Sequence, residues 1–423
     1  MIKRGGLPPR APKSLFLLPL AILAMLNCEY LFDIAPPEIE IIEPQEDTDY
    51  FGTVPVDLDV TDNGKIAKVE VFINGNSVHE FTKGPYKTGI SLEDISDASI
   101  TLKAVAYDKA GNWAEAKRDV GMSPKRPPVA SYNTPGSARG VFVSGNHAYV
   151  ADGGSGLQVI DVANPASPFL AGAYNTPGWA HGVFVSGNYA YVADGGSGLQ
   201  VIEISNPASP YLAGAFDTPG SAYGVFVSGS YAYVADRDAG LQIVDISNPA
   251  SPILSGFYDT PGSAWGGVFV SSNYAYVADG ESGLQVVDVS NPTSPHLAGA
   301  LDIPGIAKDV FVSGNDAYVA ARWGGLQIVN ISNPANPTLT GSSDTPDEAL
   351  GVFVSDGYAY VLDHQRGLMI IDVSNPANPI PTGSYETPRD PLISNRGVFV
   401  LGNYAYVANA EIGLLIFDVS GLP

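Results

Sequence analysis

"VSGNYAYVADGGSGLQVIEISNPASP" occupies Val185–Pro210, and the chain reads "VSGNHAYVADGGSGLQVIDVANPASP" forty-two residues earlier. The shared "AYVAD" word, or a variant of it, begins at Ala148, Ala190, Ala232, Ala275, Ala317, Ala359 and Ala405, so the spacings are 42, 42, 43, 42, 42 and 46. Each copy holds four runs of alternating β-branched, aromatic and small residues. In the second copy these are "GVFVSG", "YAYVAD", "LQVIEI" and "YLAGAF", separated by the turn-rich "SGN", "GGSG", "SNPASP" and "DTPGSA". Period-2 patterning between Gly, Pro and Asn clusters reads as strands. A fixed period near 42 with four strands per unit predicts a β-propeller of seven blades. The strands are called a to d here, from the channel outward.

The two ends of the array complement each other. The seventh copy stops after "LLIFDV" (Leu414 to Val419) and lacks an outer strand. The array begins with an orphan, "VASYNTPG" (Val129 to Gly136), which matches the d strand and following turn of other copies. Residues 129–133 are therefore expected to complete the last blade and close a domain spanning 129–423, leaving few sheet edges open to aggregation.

The c-strand words "LQVID", "LQIVD" and "LQVVD" resemble the motif of the LVIVD-repeat family, over Val129 to Val419. The resemblance implies a β-propeller on the exterior of a bacterial or archaeal cell. It implies no particular ligand, because a fold does not name a function.

Ahead of the repeats, residues 34–122 alternate as strands in "IEIIEP", "VPVDLDV", "KVEVFING" and "ITLKAVAYD". Asn-Gly in "INGN" (Ile73 to Asn76) is a hairpin turn. About seven short strands in ninety residues suggest a β-sandwich. Together with "YDKAGN" (Tyr107 to Asn112), the order resembles bacterial immunoglobulin-like domains of surface proteins. A spacer role is expected for it, with "GMSPKRPP" (Gly121 to Pro128) as a stiff linker.

Residues 1–28 carry Lys3, Arg4, Arg10 and Lys13, then an apolar run from Leu15 to Leu26, then the chain's single cysteine, Cys28. Twelve apolar residues are short for a spanning helix and suit an export signal. The arrangement resembles a bacterial lipoprotein signal, although Leu26 and Asn27 stand where that family prefers small residues. It implies a lipid on Cys28 and a place in the cell envelope, at the outer membrane or cell surface. A signal cleaved elsewhere and an uncleaved anchor remain alternatives, and all three place the rest of the chain outside the cytoplasm.

A net charge of −23 speaks against a nucleic-acid partner, which needs a basic field. One cysteine allows no intrachain disulfide and no multi-cysteine zinc site. No copy holds a Ser-His-Asp set, a phosphate-cradling loop or metal-type His spacing, so no cofactor and no metal are expected. The Asp ending strand b (Asp152, Asp194, Asp236, Asp279, Asp363) is expected to cap its own hairpin, as Asx residues do. Ala321 and Asn409 at the same position argue against a ring of calcium sites.

One position varies while its neighbours hold. Beside strand a stand Arg139, His181, Tyr223, Trp265, Lys308, Leu350 and Arg396. Strand a begins at the channel rim, so these side chains are expected to ring one mouth. Every Lys and Arg after Val129 lies in a d–a or b–c connection on that face, although the propeller carries 25 acids. Arg237, Arg322, Trp323, His364 and Arg366 are expected to extend the surface outward along the b–c hairpins. A cationic mouth on an acidic body would attract an anionic glycan or a carboxylate-rich protein segment. A non-enzymatic binding module is the leading expectation. The alternatives are a hydrolase or lactonase with His181 as acid/base, and a purely structural envelope component. Acids such as Asp238, Glu281, Asp347, Glu348, Asp390 and Glu411 are possible local partners for the arginines.

Overall fold

The computed structural model describes residues 35–44, 49–50, 53–91, 99–122, 127–364, 366–385, 387, 395–420 and 422. The leader and Cys28 lie outside them. The chain divides into two units. Among the described residues every regular element is a strand.

The N-terminal unit is a sandwich. A three-stranded sheet pairs Thr53–Thr61 with Glu38–Glu43 on one side and Lys87–Ser91 on the other. A second sheet pairs, in order, the strand that begins at Trp113, then Ser99–Asp108, Ile66–Ile73 and Asn76–Phe81. Val54, Val56, Val69, Val71, Leu102 and Ala104 alternate inward and are fully or almost fully buried. Asn74 and Gly75 take φ of 49° and 84°, the left-handed pair that a tight hairpin requires. The "DKAGN" turn closes on Asp108, whose carboxylate accepts the N–H of Gly111 (2.6 Å) and of Asn112 (2.8 Å). Strand pairing continues to Met122, so the expected linker is shorter than Gly121 to Pro128.

The second unit is a seven-bladed β-propeller. In blade 1 the strands are Gly140–Ser144, His147–Ala151, Leu157–Asp161 and Phe169–Tyr174, hydrogen-bonded in that order and antiparallel. Blades 2 to 6 repeat the pattern. In blade 7, Asn395–Leu401, Tyr404–Asn409 and Gly413–Asp418 are followed by Ala130–Tyr132 from the other end of the domain, with Ile416 opposite Ala130 and Leu414 opposite Tyr132.

Side-chain alternation on strand a sets the whole ring. Val141 and Val143 turn toward the preceding blade and pack against Tyr406, Ala408 and Leu414. Tyr149 turns the other way and packs on Val183 and Val185 of blade 2. Phe142, between the valines, faces the channel. The seven equivalents, Phe142, Phe184, Phe226, Phe269, Phe311, Phe353 and Phe399, form a closed hoop with centroid spacings of 4.6 to 5.0 Å.

Candidate channel-mouth site

The mouth is built by two connections that meet on one face. In blades 1 to 5 the b–c hairpin bridges to the d–a connection leading into the next blade, as in Gly153 with Ala180 (N to O 3.0 Å both ways) and Arg237 with Ala264. The bridging alanines, Ala180, Ala222, Ala264, Ala307 and Ala349, are fully buried. At four rim positions the residue after the alanine is held by its backbone N–H: Arg139, after Ala138, donates to Ala151 O (2.8 Å), His181 to Ala193 O (2.8 Å), Tyr223 to Ala235 O (2.9 Å) and Lys308 to Ala320 O (2.8 Å). With the alanine turned into the blade, the next side chain turns to the channel. Arg139, His181, Tyr223, Trp265, Lys308 and Leu350 line one cavity of about 360 Å³, beside Asp309, Arg322, Glu348 and Gly397. Arg396 stands at the same place on strand a, but its side chain lies outside the described residues, as do Arg389 and Asp390.

The lining is a stacked arc. The His181 ring lies flat on Tyr223, with centroids 3.9 Å apart and planes 16° apart. Tyr223 meets Trp265 edge to face at 5.9 Å. Lys308 Nζ sits 3.6 Å from the Trp265 ring centre, and the Arg237 guanidinium 4.7 Å from it. Arg139 lies over Trp179 (5.4 Å) and Arg322 over Trp323 (4.1 Å). Ring faces hold cations without neutralising them, and they fix long side chains that would otherwise sweep freely. Trp179 and Trp323 are 46% and 64% exposed and are not among the residues lining the cavity.

Blades 5 and 6 differ from this arc. Arg322 makes a two-pronged ion pair with Glu348, with Nε to Oε2 at 2.9 Å. His364 Nδ1 is 3.4 Å from Asp347 Oδ2. Arg237 Nε is only 4.0 Å from Asp238 Oδ1, an exposed pair of little strength. Arg322 and His364 thus pair with acids, and Arg139, Lys308 and Arg237 are held against aromatic rings. Arg366 does not extend the surface: it is 6% exposed. It occupies the hairpin position of Ser155 in blade 1, whose Oγ lies close to the d–a turn at Gly136.

Asp309 was not singled out by sequence. It stands where Gly140, Gly182 and Gly224 stand in other blades, in a collar so close that a Cβ on Gly182 would meet Tyr223 O at 2.8 Å. Its carboxylate accepts Val310 N (2.9 Å) and Val352 N (3.0 Å), which draws it against the channel wall. Burial pushes its carboxyl up to about 6, against the pull of those two N–H groups.

The strand-b aspartates also differ from expectation. Asp152 does not cap its own hairpin through its side chain. Oδ1 accepts the Thr134 hydroxyl (2.6 Å) and Oδ2 accepts Gly136 N (2.7 Å), both in the preceding d–a connection. Asp194, Asp236 and Asp279 repeat this clasp with Thr176, Thr218 and Thr260. Asp363 alone receives its own hairpin, from Arg366 N (2.7 Å). Among the described residues no group of three His, Cys, Asp or Glu is placed to hold a metal.

Residues 135–176, 177–218, 219–260, 261–302, 304–345, 347–387 and 394–422 each match the LVIVD repeat. The chain belongs to the LVIVD-repeat family. Residues 37–104 match the bacterial Ig domain. No curated protein matches this LVIVD-repeat chain. Solved structures share its fold at low identity. A chain of the mitotic checkpoint complex is 11% identical with a TM-score of 0.58, over 69% of this chain and 94% of that one. The β-propeller domain of Cps50 (Swd1) from Myceliophteria thermophila is 13% identical with a TM-score of 0.55, over 69% and 99%. The computationally designed Ika8 protein is 8% identical with a TM-score of 0.50, over 77% and 94%. At these identities the likeness shows the fold alone.

Proposed function

We propose that this LVIVD-repeat protein is an exported, non-enzymatic binding module of the cell envelope, anchored through a lipid on Cys28. Its channel mouth recognises an anionic group on a glycan or protein. One observation carries the reading: on a strongly acidic propeller, Arg139 and Lys308 line one cavity and are held over aromatic rings, and Arg237 lies over the cavity-lining Trp265. Half-buried cations with fixed directions favour an anion more than solvated surface charges do.

The test is a binding screen of acidic oligosaccharides and acidic peptides against wild type and the variant Arg139→Ala, Lys308→Ala, Arg396→Ala. Asn188→Ala, in an exposed turn of the opposite face, is the control. Affinity should fall as salt rises and be lost in the triple variant. Full affinity in that variant would mean the wrong face has been chosen. For the anchor, Cys28→Ser should release the protein from membranes, and intact mass should show acyl chains on the wild type only.

A further inference from the structure

The phenylalanine hoop below the mouth has a geometry that selects an occupant. Its seven successive interplanar angles lie between 44° and 60°. One step around a seven-fold ring is about 51°, and successive planes differ by that full step only when each plane runs parallel to the channel axis. The rings therefore stand upright. Spacings of 4.6 to 5.0 Å place the centroids on a circle of about 5.5 Å radius. At that spacing, rings set edge to edge around the circle would overlap, so they wedge with an edge inward. Allowing carbon its ordinary contact distance, the open bore is about 4–5 Å wide. That is the cross-section of one extended alkyl chain, and it is too narrow for a peptide with side chains or for a sugar ring.

The hoop itself is apolar, and the layers at its two ends are mostly small or polar. Strand a runs Gly140, Phe142, Ser144 along the channel side, so six glycines and Asp309 lie above the hoop and six serines and Leu401 below it. Each hoop ring is partly exposed, so the apolar surface is reachable. Collar to serine layer is about 13 Å at 3.3 Å per residue, the length of about ten methylenes. Arg139 and Lys308 lie at the rim above.

We propose that the channel binds one single-chain aliphatic anion, with its tail threaded through the phenylalanine hoop and its carboxylate at Arg139 and Lys308. The head-group half rests on the anion-binding part of the mouth reading above and replaces the glycan or protein there with a free aliphatic carboxylate; the tail half rests on the hoop.

The test uses the full exported chain and calorimetry with butyrate, hexanoate, octanoate, decanoate and dodecanoate below their micellar concentrations. One ligand should bind per chain. Affinity should rise about four-fold per methylene up to about ten carbons and then level off. An affinity flat from butyrate to decanoate, or a stoichiometry above one, overturns the hoop and leaves the mouth reading standing. Decyltrimethylammonium separates the halves: binding equal to decanoate would sink the anionic head group and keep the tail. Phe226→Trp, which crowds the bore, should abolish the chain-length dependence. If that variant fails to fold, Phe226→Leu should weaken decanoate while leaving butyrate unchanged. Vesicles of an anionic diacyl lipid, whose paired chains cannot both enter, should not compete with decanoate. Competition by such vesicles would overturn the free single-chain ligand.

Discussion

The Thr176 hydroxyl donates to Asp194 Oδ1 at 2.5 Å, from the connection entering blade 2 to the end of that blade's strand b. The same pair recurs in blades 1, 3 and 4. Blade 5 replaces both partners at once, with Ile303 and Ala321, which are 5% and 0% exposed. A buried acceptor that loses its donor keeps its desolvation cost, whereas an apolar pair has none.

Thr176→Val should therefore destabilise the protein by about 1–3 kcal/mol, because it strands the buried Asp194 carboxylate. The double variant Thr176→Ile, Asp194→Ala, written as blade 5 writes it, should recover most of that loss. The Gly178 N–H that loses its acceptor can turn away, as Gly305 does in blade 5 with φ of 96°. Urea midpoints of wild type, Thr176→Ile, Asp194→Ala and the double variant form the cycle. Additive costs would show that the pair is not coupled.

That clasp was within reach of the sequence. Thr134, Thr176 and Thr218 each stand eighteen residues before an aspartate, and both members are lost together in blade 5. The reading went to the aspartate's own hairpin because local Asx turns are the usual partner, and they do hold at the end of strand c, where Asp161 accepts Ala163 N (2.9 Å). The repeat, the four strands and the ring of variable side chains were legible because a period of 42 needs no tertiary information. Three things were not. Whether Phe142 meets Phe184 depends on the radius of the closed ring. Whether Arg322 is engaged depends on Glu348, twenty-six residues away in another blade's connection. Arg366 reads as a surface cation until the hairpin's third position is seen close to the d–a turn.

Asp309 should make stability pH-dependent with a definite sign. Its folded carboxyl titrates near 6, above the ordinary 3.8. Between these values the folded state binds more protons than the unfolded one, so stability rises as pH falls. Relative to Asp309→Asn, the wild type should gain about 1 kcal/mol between pH 7 and pH 5. Burial likewise raises Asp152, Asp194, Asp236 and Asp279, but these are common to both proteins and cancel. Parallel pH profiles for the two proteins would remove Asp309 as the source.

Gly153 and Gly145 separate backbone strain from rim geometry. Both have left-handed φ, 54° and 58°. A Cβ on Gly145 meets nothing, whereas on Gly153 it would lie 2.9 Å from the Trp179 indole. Each alanine variant should cost about 1 kcal/mol in backbone terms. Only Gly153→Ala should also move Trp179, read as a change in the fluorescence component that Trp179→Phe removes. Equal spectra for the two alanine variants would mean the indole does not rest on the hairpin.

Deleting Val129 to Asn133 should open the ring. Those residues supply the outer strand of blade 7, where Val129 N donates to Ile416 O at 2.8 Å and Ser131 lies opposite Leu415. Without them Gly413–Asp418 becomes a bare edge that carries Leu414, Leu415, Ile416 and Phe417, all fully buried in the closed ring. Tyr132 is also lost from the cluster it shares with Leu414 and Ile416. An exposed, apolar strand edge invites pairing with another chain. The deleted protein should lose many degrees of melting temperature or run as oligomers in size-exclusion chromatography. Ser131→Pro is the gentler version: its ring cannot donate to the ladder and should weaken the same junction without removing side chains from the core. A deletion variant that stays monomeric with an unchanged melting curve would show that the ring holds without its terminal strand.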